Sequence, residues 1–336
     1  MKFARRFSLV ALALSACLGI SGTASAAGKF ACESGETYVM NVMVSGHPYW
    51  VPVFQGFKQA AESLGCTAVF SGTPDYDIAK QIASFEQDLV KKPAGILLHP
   101  MQADPFIDPI NAAIGAGVSV TTFAADSPKS KRTAYVTSDN VAEAKFAAEE
   151  IVKTVGDSAE YAVLENPGQS NHDLRVTAFI ANMEKNYPKM KLVGRQASNQ
   201  DSNVAYQAVT TMLQANPKLA AIWIPEAGSA EGAVAAVKES GKKVIIMHAD
   251  VTPTTLAEIK AGNIHMALNP NQGVQGFLGF MNTFLGAHPG LIDPFNDYKV
   301  SGFNPMQFPY MDNGFAVITK DNADSFDLAK YMEGRN

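Results

Sequence analysis

Residues 37–64, TYVMNVMVSGHPYWVPVFQGFKQAAESL, decide the fold class. Residues 38–45 form an apolar run with the length and composition of a buried strand. Residues 51–64 follow after a short loop and repeat apolar side chains at helical spacing, which predicts a helix with one buried face. Those side chains are Phe54, Phe57, Ala61 and Leu64. A buried strand followed by such a helix is the first half of a βαβ unit, and it predicts a parallel sheet.

The same alternation of strand and helix continues along the chain and then starts again. The first set of predicted strands is 38–45, 66–71, 95–99, 118–123 and 134–137. The second set is 161–165, 191–196, 220–224 and 244–248, with a predicted helix after each of the first three. We therefore predict an α/β protein with two similar lobes, each a parallel sheet flanked by helices.

Three elements near the end of the chain are left over from this alternation. They are a strand at 264–268, a helix at 273–285 and a strand at 315–319. They predict a hinge that the chain crosses more than once. The N-terminal lobe is assigned residues 27–138 plus 270–305, and the C-terminal lobe residues 139–269 plus 306–336. Residues 287–312 are rich in Pro, Asn and Gly, so we expect an irregular connection there.

Composition and charge limit the possible functions. The chain has 336 residues, of which 47% are hydrophobic, and a formal charge of −5. Such a chain can bury a large core, so a disordered or low-complexity protein is excluded. Single cores stop growing at roughly 250–300 residues, which also favours two domains. An acidic chain does not suit nucleic acid, so we expect small-molecule partners.

The first 26 residues have the features of a secretory signal peptide. Lys2, Arg5 and Arg6 precede an apolar run, and Ala24-Ser25-Ala26 supplies small residues for cleavage. Cleavage would remove three positive charges and lower the formal charge from −5 to −8. We therefore expect a periplasmic protein.

The three cysteines leave two questions open. Leu14-Ser15-Ala16-Cys17 resembles a bacterial lipobox, so acylation at Cys17 is the alternative to ordinary cleavage. Cys32 precedes the first predicted strand and Cys66 begins the second. Neighbouring parallel strands would bring the two cysteines together, so they form either a disulfide or two free thiols.

Polar and aromatic residues follow the predicted strands, at the edge where open parallel sheets bind their ligands. The candidate ligand-binding residues are His47, Tyr49, Trp50, Asp126, Asn171, His172, Arg175, Gln200, Glu226, Asp250, Asn269 and Asn271. Aromatic rings beside amides and carboxylates suit a polyhydroxylated ligand, whose C–H faces stack on rings while its hydroxyls form hydrogen bonds. Most of these residues also have a simpler interpretation. Tyr49 and Trp50 could pack the core, Asp126 and Asp250 could stabilise turns, and Glu226 could cap a helix.

Motifs for catalysis or metal binding are missing from the sequence. It contains no dinucleotide-binding or Walker glycine loop and no Gly-x-Ser-x-Gly elbow. Histidines follow several strands, but no two of them have the close spacing of zinc ligands. We therefore expect a binding protein with no enzymatic activity, no cofactor and no metal.

These residues together resemble a family, the type 1 periplasmic binding proteins of ABC sugar importers, of the ribose-binding kind. Residues 47–50, HPYW, resemble the family's Asn-Pro-Phe-Phe segment, whose aromatic rings stack on the sugar. Residues 95–100 resemble its Ile-Asn-Pro strand, and residues 137–140 match its Ser-Asp-Asn hinge segment. Arg175 and Asp250 stand where the family has a ligand-binding Arg and Asp.

The chain departs from this pattern at several places. Ala124 stands where ribose-type proteins usually have Asp, and Gln200 where an aromatic ring often stacks. Residues 225–227, Pro-Glu-Ala, resemble the Pro-Asp-Ala of autoinducer-2-binding relatives. A site with fewer rings and more amides suits an acyclic polyol or an unusual sugar.

The resemblance implies a solute-binding protein of an ABC transporter. It would bind a small carbohydrate or polyol between its lobes and, as a monomer, deliver it to an inner-membrane permease by hinge closure. One alternative is a periplasmic sensor that presents an autoinducer-like furanose to a receptor. A secreted enzyme is the other alternative.

Overall fold

A computed structural model describes residues 30–291 and 309–326. The predicted signal peptide and Cys17 lie outside these ranges, as does most of the predicted irregular connection at 287–312. Within them the protein has two six-stranded sheets, each flanked by helices. The predicted fold class is confirmed.

The first lobe is built from the first half of the chain. Its elements are β1 (Thr37–Val42), α1 (Trp50–Ser63), β2 (Thr67–Gly72), α2 (Ile78–Val90), β3 (Gly95–Leu98), α3 (Ile107–Gly115), β4 (Ser119–Phe123) and β5 (Ala134–Thr137). These strands are parallel in the order β5-β4-β3-β1-β2. Apolar side chains pack on both faces of the sheet, as the βαβ pattern predicts.

The second lobe repeats this layout. Its elements are α4 (Asn140–Val155), β6 (Glu160–Glu165), α5 (Ser170–Asn186), β7 (Lys191–Ala197), α6 (Ser202–Ala215), β8 (Leu219–Ile224), α7 (Ala230–Ser240), β9 (Ile245–Ala249), α8 (Pro253–Ala261) and β10 (Met266–Asn269). The strands are parallel in the order β10-β9-β8-β6-β7. The core again lies on both faces of the sheet.

The last elements return to both lobes. Helix α9 (Gln272–Ala287) packs Phe280 and Phe284 into the core of the first lobe. Strand β11 (Met311–Asp312) pairs with β5 there, and β12 (Ala316–Ile318) pairs with β10 in the second lobe. Over residues 30–291 and 309–326 the elements therefore show three crossings between the lobes, after β5, after β10 and between β11 and β12.

Three details differ from the sequence predictions. Residues 311–312 pair in the first sheet, so the predicted return to the second lobe at residue 306 is too early. Strand β12 runs antiparallel to β10, although both sheets were expected to be parallel throughout. Helix α8 was not predicted, because only Leu256 and Ile259 supply its buried apolar face and its first turn reads as a loop. Its start is set by a capping box between Thr252 and Thr255.

A disulfide joins Cys32 to Cys66 at the start of the first lobe. Thr37 lies opposite Thr67 in the parallel pairing of β1 with β2, so the residues that precede the two strands are neighbours. The Cys32 backbone N–H also donates to the Leu64 carbonyl, at 2.8 Å. Of the two possibilities that the sequence left open, the structure has the bonded one.

A search of the described helices for one long and apolar enough to cross a membrane found no candidate.

Candidate functional site

A cavity of about 270 Å³ lies between the lobes, beyond the carboxyl ends of the strands. The first lobe lines it with Met43, Val44, His47, Tyr49, Trp50, Tyr76, His99 and Ala124. The second lobe lines it with Gln169, Asn171, His172, Asn199, Gln200, Asp201, Glu226, Ala227 and Asp250. This is the edge at which open parallel sheets bind ligands.

Eight of the twelve candidate residues line this cavity. They are His47, Tyr49, Trp50, Asn171, His172, Gln200, Glu226 and Asp250. The other four, Asp126, Arg175, Asn269 and Asn271, lie nearby but not on its wall.

Tyr49 and Trp50 form an aromatic wall on the side of the first lobe. Their polar ends are already bonded: the Tyr49 hydroxyl donates to Gln275 Oε1 at 3.0 Å, and Trp50 Nε1 donates to the Met43 carbonyl at 2.9 Å. The Trp50 ring packs edge-on against His99, with 4.9 Å between ring centroids. The two residues therefore pack in the core and also leave ring surface on the cavity wall.

Three buried polar atoms of residues on the cavity wall form no hydrogen bond with the described residues: His99 Nδ1, Asn171 Oδ1 and Asp250 Oδ1. The last of them has an ion-pair contact with Arg175 Nη1 at 3.5 Å. An unpaired buried polar group costs about 1–3 kcal/mol, so native proteins rarely leave one without a reason. Three such atoms around one cavity are the arrangement expected of a site that hydrogen-bonds a ligand.

Asp250 follows β9 and shares a buried charge cluster with Arg175. Arg175 Nε donates to Glu143 Oε2 at 2.6 Å and Nη1 donates to the Pro225 carbonyl at 3.0 Å. Arg175 Nη1 also lies 3.5 Å from Asp250 Oδ1. Burial raises the pKa of Asp250 to about 7; Arg175 opposes this rise, and the charges of Glu143 and Glu226 add to it. Arg175 thus contacts Asp250 but does not line the cavity. This differs from the direct ligand contact that we predicted.

Glu226 lies in the loop before α7 and holds that loop together. Its carboxylate accepts hydrogen bonds from the backbone N–H groups of Gly228 and Ser229, the latter at 3.2 Å. Burial raises its pKa, while the hydrogen bonds from Ser229 and Asn166 oppose the rise. These N–H groups precede the first residue of α7, Ala230, so Glu226 stabilises the loop and does not cap the helix as the simpler interpretation had it. The same side chain also lines the cavity.

The side chain of Asp126 is bonded within its own lobe, whereas its backbone N–H donates to Ser170 Oγ of the second lobe at 3.1 Å. Arg132 Nη2 donates to Asp126 Oδ2 at 2.7 Å, and Thr122 Oγ1 donates to Oδ1 at 2.6 Å. Ala124, with a positive φ of 56°, turns the chain directly after β4 and occupies the wall instead. The turn interpretation of Asp126 fits this geometry.

Asn269 and Asn271 lie at the second crossing between the lobes. Both line a separate groove of about 890 Å³ next to α1 and α8. Asn271 has a φ of 48° and its Nδ2 donates to the Asn313 carbonyl at 3.1 Å. The sequence predicts that both residues lie at a strand end and bind the ligand. Strand β10 ends at the hinge, however, so both line the groove instead of the cavity.

Sequence reasoning missed several residues of this site. Gln169 joins the lobes, since its Nε2 donates to Met43 Sδ at 3.2 Å and its Oε1 accepts from Gln200 Nε2 at 3.2 Å. His99 is the last residue of the predicted strand at 95–99 and is not among the candidate residues. Glu143 lies on α4, where a helix-face carboxylate usually faces solvent, and only the packing of the lobe shows that it is buried.

The cavity histidines are held in the neutral form by burial. Burial lowers the pKa of His99 to about 4, and burial together with the charge of Arg175 lowers the pKa of His172 well below its usual value. His172 Nδ1 lies 3.2 Å from Asn166 Nδ2. Over the described ranges, no three His, Cys, Asp or Glu side chains converge as metal ligands would.

Sugar-binding proteins are among the curated proteins that resemble this chain. It is 26% identical over 258 residues to the D-allose-binding periplasmic protein of Escherichia coli, covering 72% of this chain and 81% of that protein. It is 25% identical over 272 residues to the ribose import binding protein of Haemophilus influenzae, covering 81% and 90%.

Solved structures of sugar-binding proteins also resemble this chain. An arabinose-binding protein from Geobacillus stearothermophilus superposes with a TM-score of 0.78 at 29% identity, covering 87% of this chain and 99% of that one. A sugar-binding protein of an ABC transporter from Bacillus halodurans gives 0.80 at 28% identity, covering 87% and 100%. The family described as the periplasmic binding protein domain matches residues 38–284, and the chain belongs to this family.

Proposed function

We propose that the protein binds a small uncharged sugar or polyol in the cavity and passes it to the permease of an ABC importer. The observation that carries the proposal is a set of three buried polar atoms beside an aromatic wall: His99 Nδ1 and Asn171 Oδ1, which form no hydrogen bond with the described residues, and Asp250 Oδ1, which has an ion-pair contact with Arg175. A hydroxylated ring or chain can stack on the wall and hydrogen-bond to all three atoms.

The charge and size of the cavity narrow the ligand class. Among the described residues its lining includes Asp201, Glu226 and Asp250 but no Lys or Arg. A sugar acid or sugar phosphate would meet these carboxylates, while the guanidinium of Arg175 beside Asp250 is already paired with Glu143 and Asp250. The volume of about 270 Å³ is below the roughly 300–1,000 Å³ of pockets for drug-sized ligands, which favours a single small sugar.

We assign roles to the candidate residues on this basis. Tyr49 and Trp50 stack on the ligand, Asn171 and Asp250 accept hydrogen bonds from its hydroxyls, and His99 provides a further polar contact. Arg175 holds Asp250 in place. Asp126, Asn269 and Asn271 support the lobes and the hinge.

Transport follows from the placement of these residues on both lobes. Tyr49, Trp50 and His99 belong to the first lobe, whereas Asn171 and Asp250 belong to the second. A ligand that bridges them has greater affinity for the closed arrangement and increases its population. The closed form then presents the cargo to the permease without altering it chemically. The similar proteins include allose-, ribose- and arabinose-binding proteins, which supports this cargo class.

We also infer that the chain is exported to the periplasm through its first 26 residues and acts as a monomer. Retention in the membrane through Cys17 remains the alternative to export as a free protein. Mass spectrometry of the mature chain distinguishes the two, because cleavage after Ala26 leaves an unmodified N-terminus.

A thermal-shift screen tests the proposal. We expect one member of a panel of D-ribose, D-allose, L-arabinose and acyclic polyols to raise the melting temperature, because a ligand at 100 times its Kd stabilises a fold by about 2.7 kcal/mol. Matched sugar acids should give no shift. Asn171→Leu should abolish the shift, and Asn186→Leu, on the exposed end of the same helix, should keep it. A panel without any stabilising sugar or polyol would contradict the proposal.

A further inference from the structure

Asn313 connects all three crossings between the lobes. It lies in the third crossing, is only 5% exposed, and its backbone N–H donates to the Thr137 carbonyl at the first crossing, at 3.1 Å. Its backbone carbonyl accepts from Asn271 Nδ2 at the second crossing, at 3.1 Å. Its side-chain Nδ2 donates to the carbonyl of Pro270, also at the second crossing. One residue thus holds the three hinge segments together.

Gln275 links this hinge residue to the cavity wall. It is fully buried and lies one turn into α9. Each end of its side-chain amide forms a hydrogen bond. Its Nε2 donates to Asn313 Oδ1 at 3.3 Å, and its Oε1 accepts from the Tyr49 hydroxyl at 3.0 Å. Tyr49 lines the cavity. A continuous chain of buried hydrogen bonds therefore runs from the cavity wall to the hinge.

We propose that Gln275 and Asn313 are positioning residues, which couple the orientation of the Tyr49 ring to the angle between the lobes. Buried polar networks are stiff, because a group that loses its partner inside the protein keeps the full cost of its burial. A ligand that fixes Tyr49 then also favours one arrangement of the hinge segments. This inference rests on the proposed function only for its binding test.

The coupling predicts that two substitutions along this series of hydrogen bonds have non-additive effects on sugar affinity. Tyr49→Phe keeps the ring and removes the hydroxyl, and Gln275→Met keeps the approximate volume and removes both hydrogen bonds. We expect each to weaken binding of the sugar selected from the thermal-shift panel by about threefold to tenfold. The double variant should be no weaker than the worse single variant, because either change already breaks the chain.

Thr283→Val is the matched control, because it also removes a buried hydrogen bond of α9. The Thr283 hydroxyl donates to the Gly279 carbonyl of the same helix at 2.7 Å, away from the hinge. It should lower the melting temperature but leave sugar affinity unchanged. A purely structural role for Gln275 would instead give the same pattern as Thr283→Val.

Small-angle X-ray scattering of the ligand-free chain tests the hinge without any sugar. Gln275→Met should change the radius of gyration relative to the wild type, and Thr283→Val should not. Unchanged scattering for Gln275→Met, or additive losses of affinity in the double variant, would overturn the coupling. Wild-type chain that binds no sugar would overturn the proposed function, and the scattering result would still decide the inference.

Discussion

Asp250 is a buried carboxyl group, and the positive charge of Arg175 beside it does not offset the cost of burying its ionised form. Glu143 and Glu226 lie close enough to raise its pKa further, and Arg175 also bonds to Glu143. The Asp250 pKa is raised from 3.8 to about 7. From about pH 4 to about pH 7 the folded chain therefore keeps a proton that the unfolded chain releases. The free energy of unfolding falls as pH rises through this range.

Asp250→Asn should consequently stabilise the ligand-free protein while it weakens binding. At pH 8 we expect the free energy of unfolding to rise by about 1–3 kcal/mol, and the gain should shrink toward pH 4. Sugar affinity at pH 8, where the Asp250 carboxyl is ionised, should fall about tenfold or more, because the charged acceptor is lost. Urea unfolding at several pH values and calorimetric titration measure the two effects.

The exposed Asp321 provides the control for this prediction. Asp321→Asn should change neither quantity appreciably, since surface substitutions usually stay within about 0.5 kcal/mol. A stability gain for Asp250→Asn that is equal at pH 5 and pH 8 would show that the folded chain does not hold the proton.

Helices α1 and α9 approach closely where glycines face each other. A Cβ at Gly276 would meet the Val53 carbonyl oxygen, and a Cβ at Gly56 would meet the Gly273 carbonyl oxygen. Both contacts are with backbone, which cannot move aside as a side chain could. The glycines therefore set the distance between the helix that carries Trp50 and the helix that carries Gln275.

Gly276→Ala should destabilise the fold by about 1–3 kcal/mol, because the overlap outweighs the better helix propensity of alanine. Gly115→Ala, in α3, is the matched control, since a Cβ there has no neighbour within 4 Å. Urea unfolding should show a loss for the first variant only. Equal stability of Gly276→Ala and the wild type would mean that α1 and α9 can separate without cost.

Local patterns predicted most elements, because buried strands and one-sided helices leave periodic apolar residues in the sequence. Helix α8 was not predicted, since its short buried face leaves almost no apolar periodicity in the sequence and its start depends on Thr252. Strand β11 was not predicted, because its position is set by pairing with the edge of β5 and not by its own two residues. Pairing partners of short strands are a property of the assembled sheet.

The candidate site shows the same limit. The rule that ligands bind beyond strand ends located Trp50 and Asp250, since a strand end is visible in the sequence. Whether a polar residue near such an end faces the cavity depends on one or two backbone angles. Ala124 turns the chain so that Asp126 pairs with Arg132 instead. Contacts between distant helices, such as Glu143 with Arg175, leave no local pattern at all.

At the scale of the whole molecule, binding depends on two lobes that share three crossings. The order of the chain puts Asn171 and Asp250 on one lobe and the aromatic wall on the other. Affinity for a bridging ligand is then divided by the fraction of molecules that can close around it. If the proposed coupling holds, the hinge network around Asn313, which reaches the cavity wall through Gln275 and Tyr49, contributes to affinity.

Buried histidines in both lobes predict how the whole fold responds to acid. Burial lowers the pKa of His99 and of His248 to about 4, and that of His172 further below its usual value. As pH falls from about 6.5 toward 4, the unfolded chain takes up protons that the folded chain refuses. The free energy of unfolding therefore falls in acid, and the opposite trend of Asp250 offsets only part of this loss.

His248→Leu isolates one of these contributions, because His248 is fully buried and lies outside the cavity lining. Its Nδ1 bonds to the Ala249 carbonyl at 2.9 Å, and its Nε2 has no partner among the described residues. Between pH 7 and pH 5 the wild type should lose about 2 kcal/mol more than the variant, which has no imidazole to titrate. Guanidinium unfolding across this range measures the two slopes. Parallel slopes would mean that the folded chain protonates His248 as readily as the unfolded chain does.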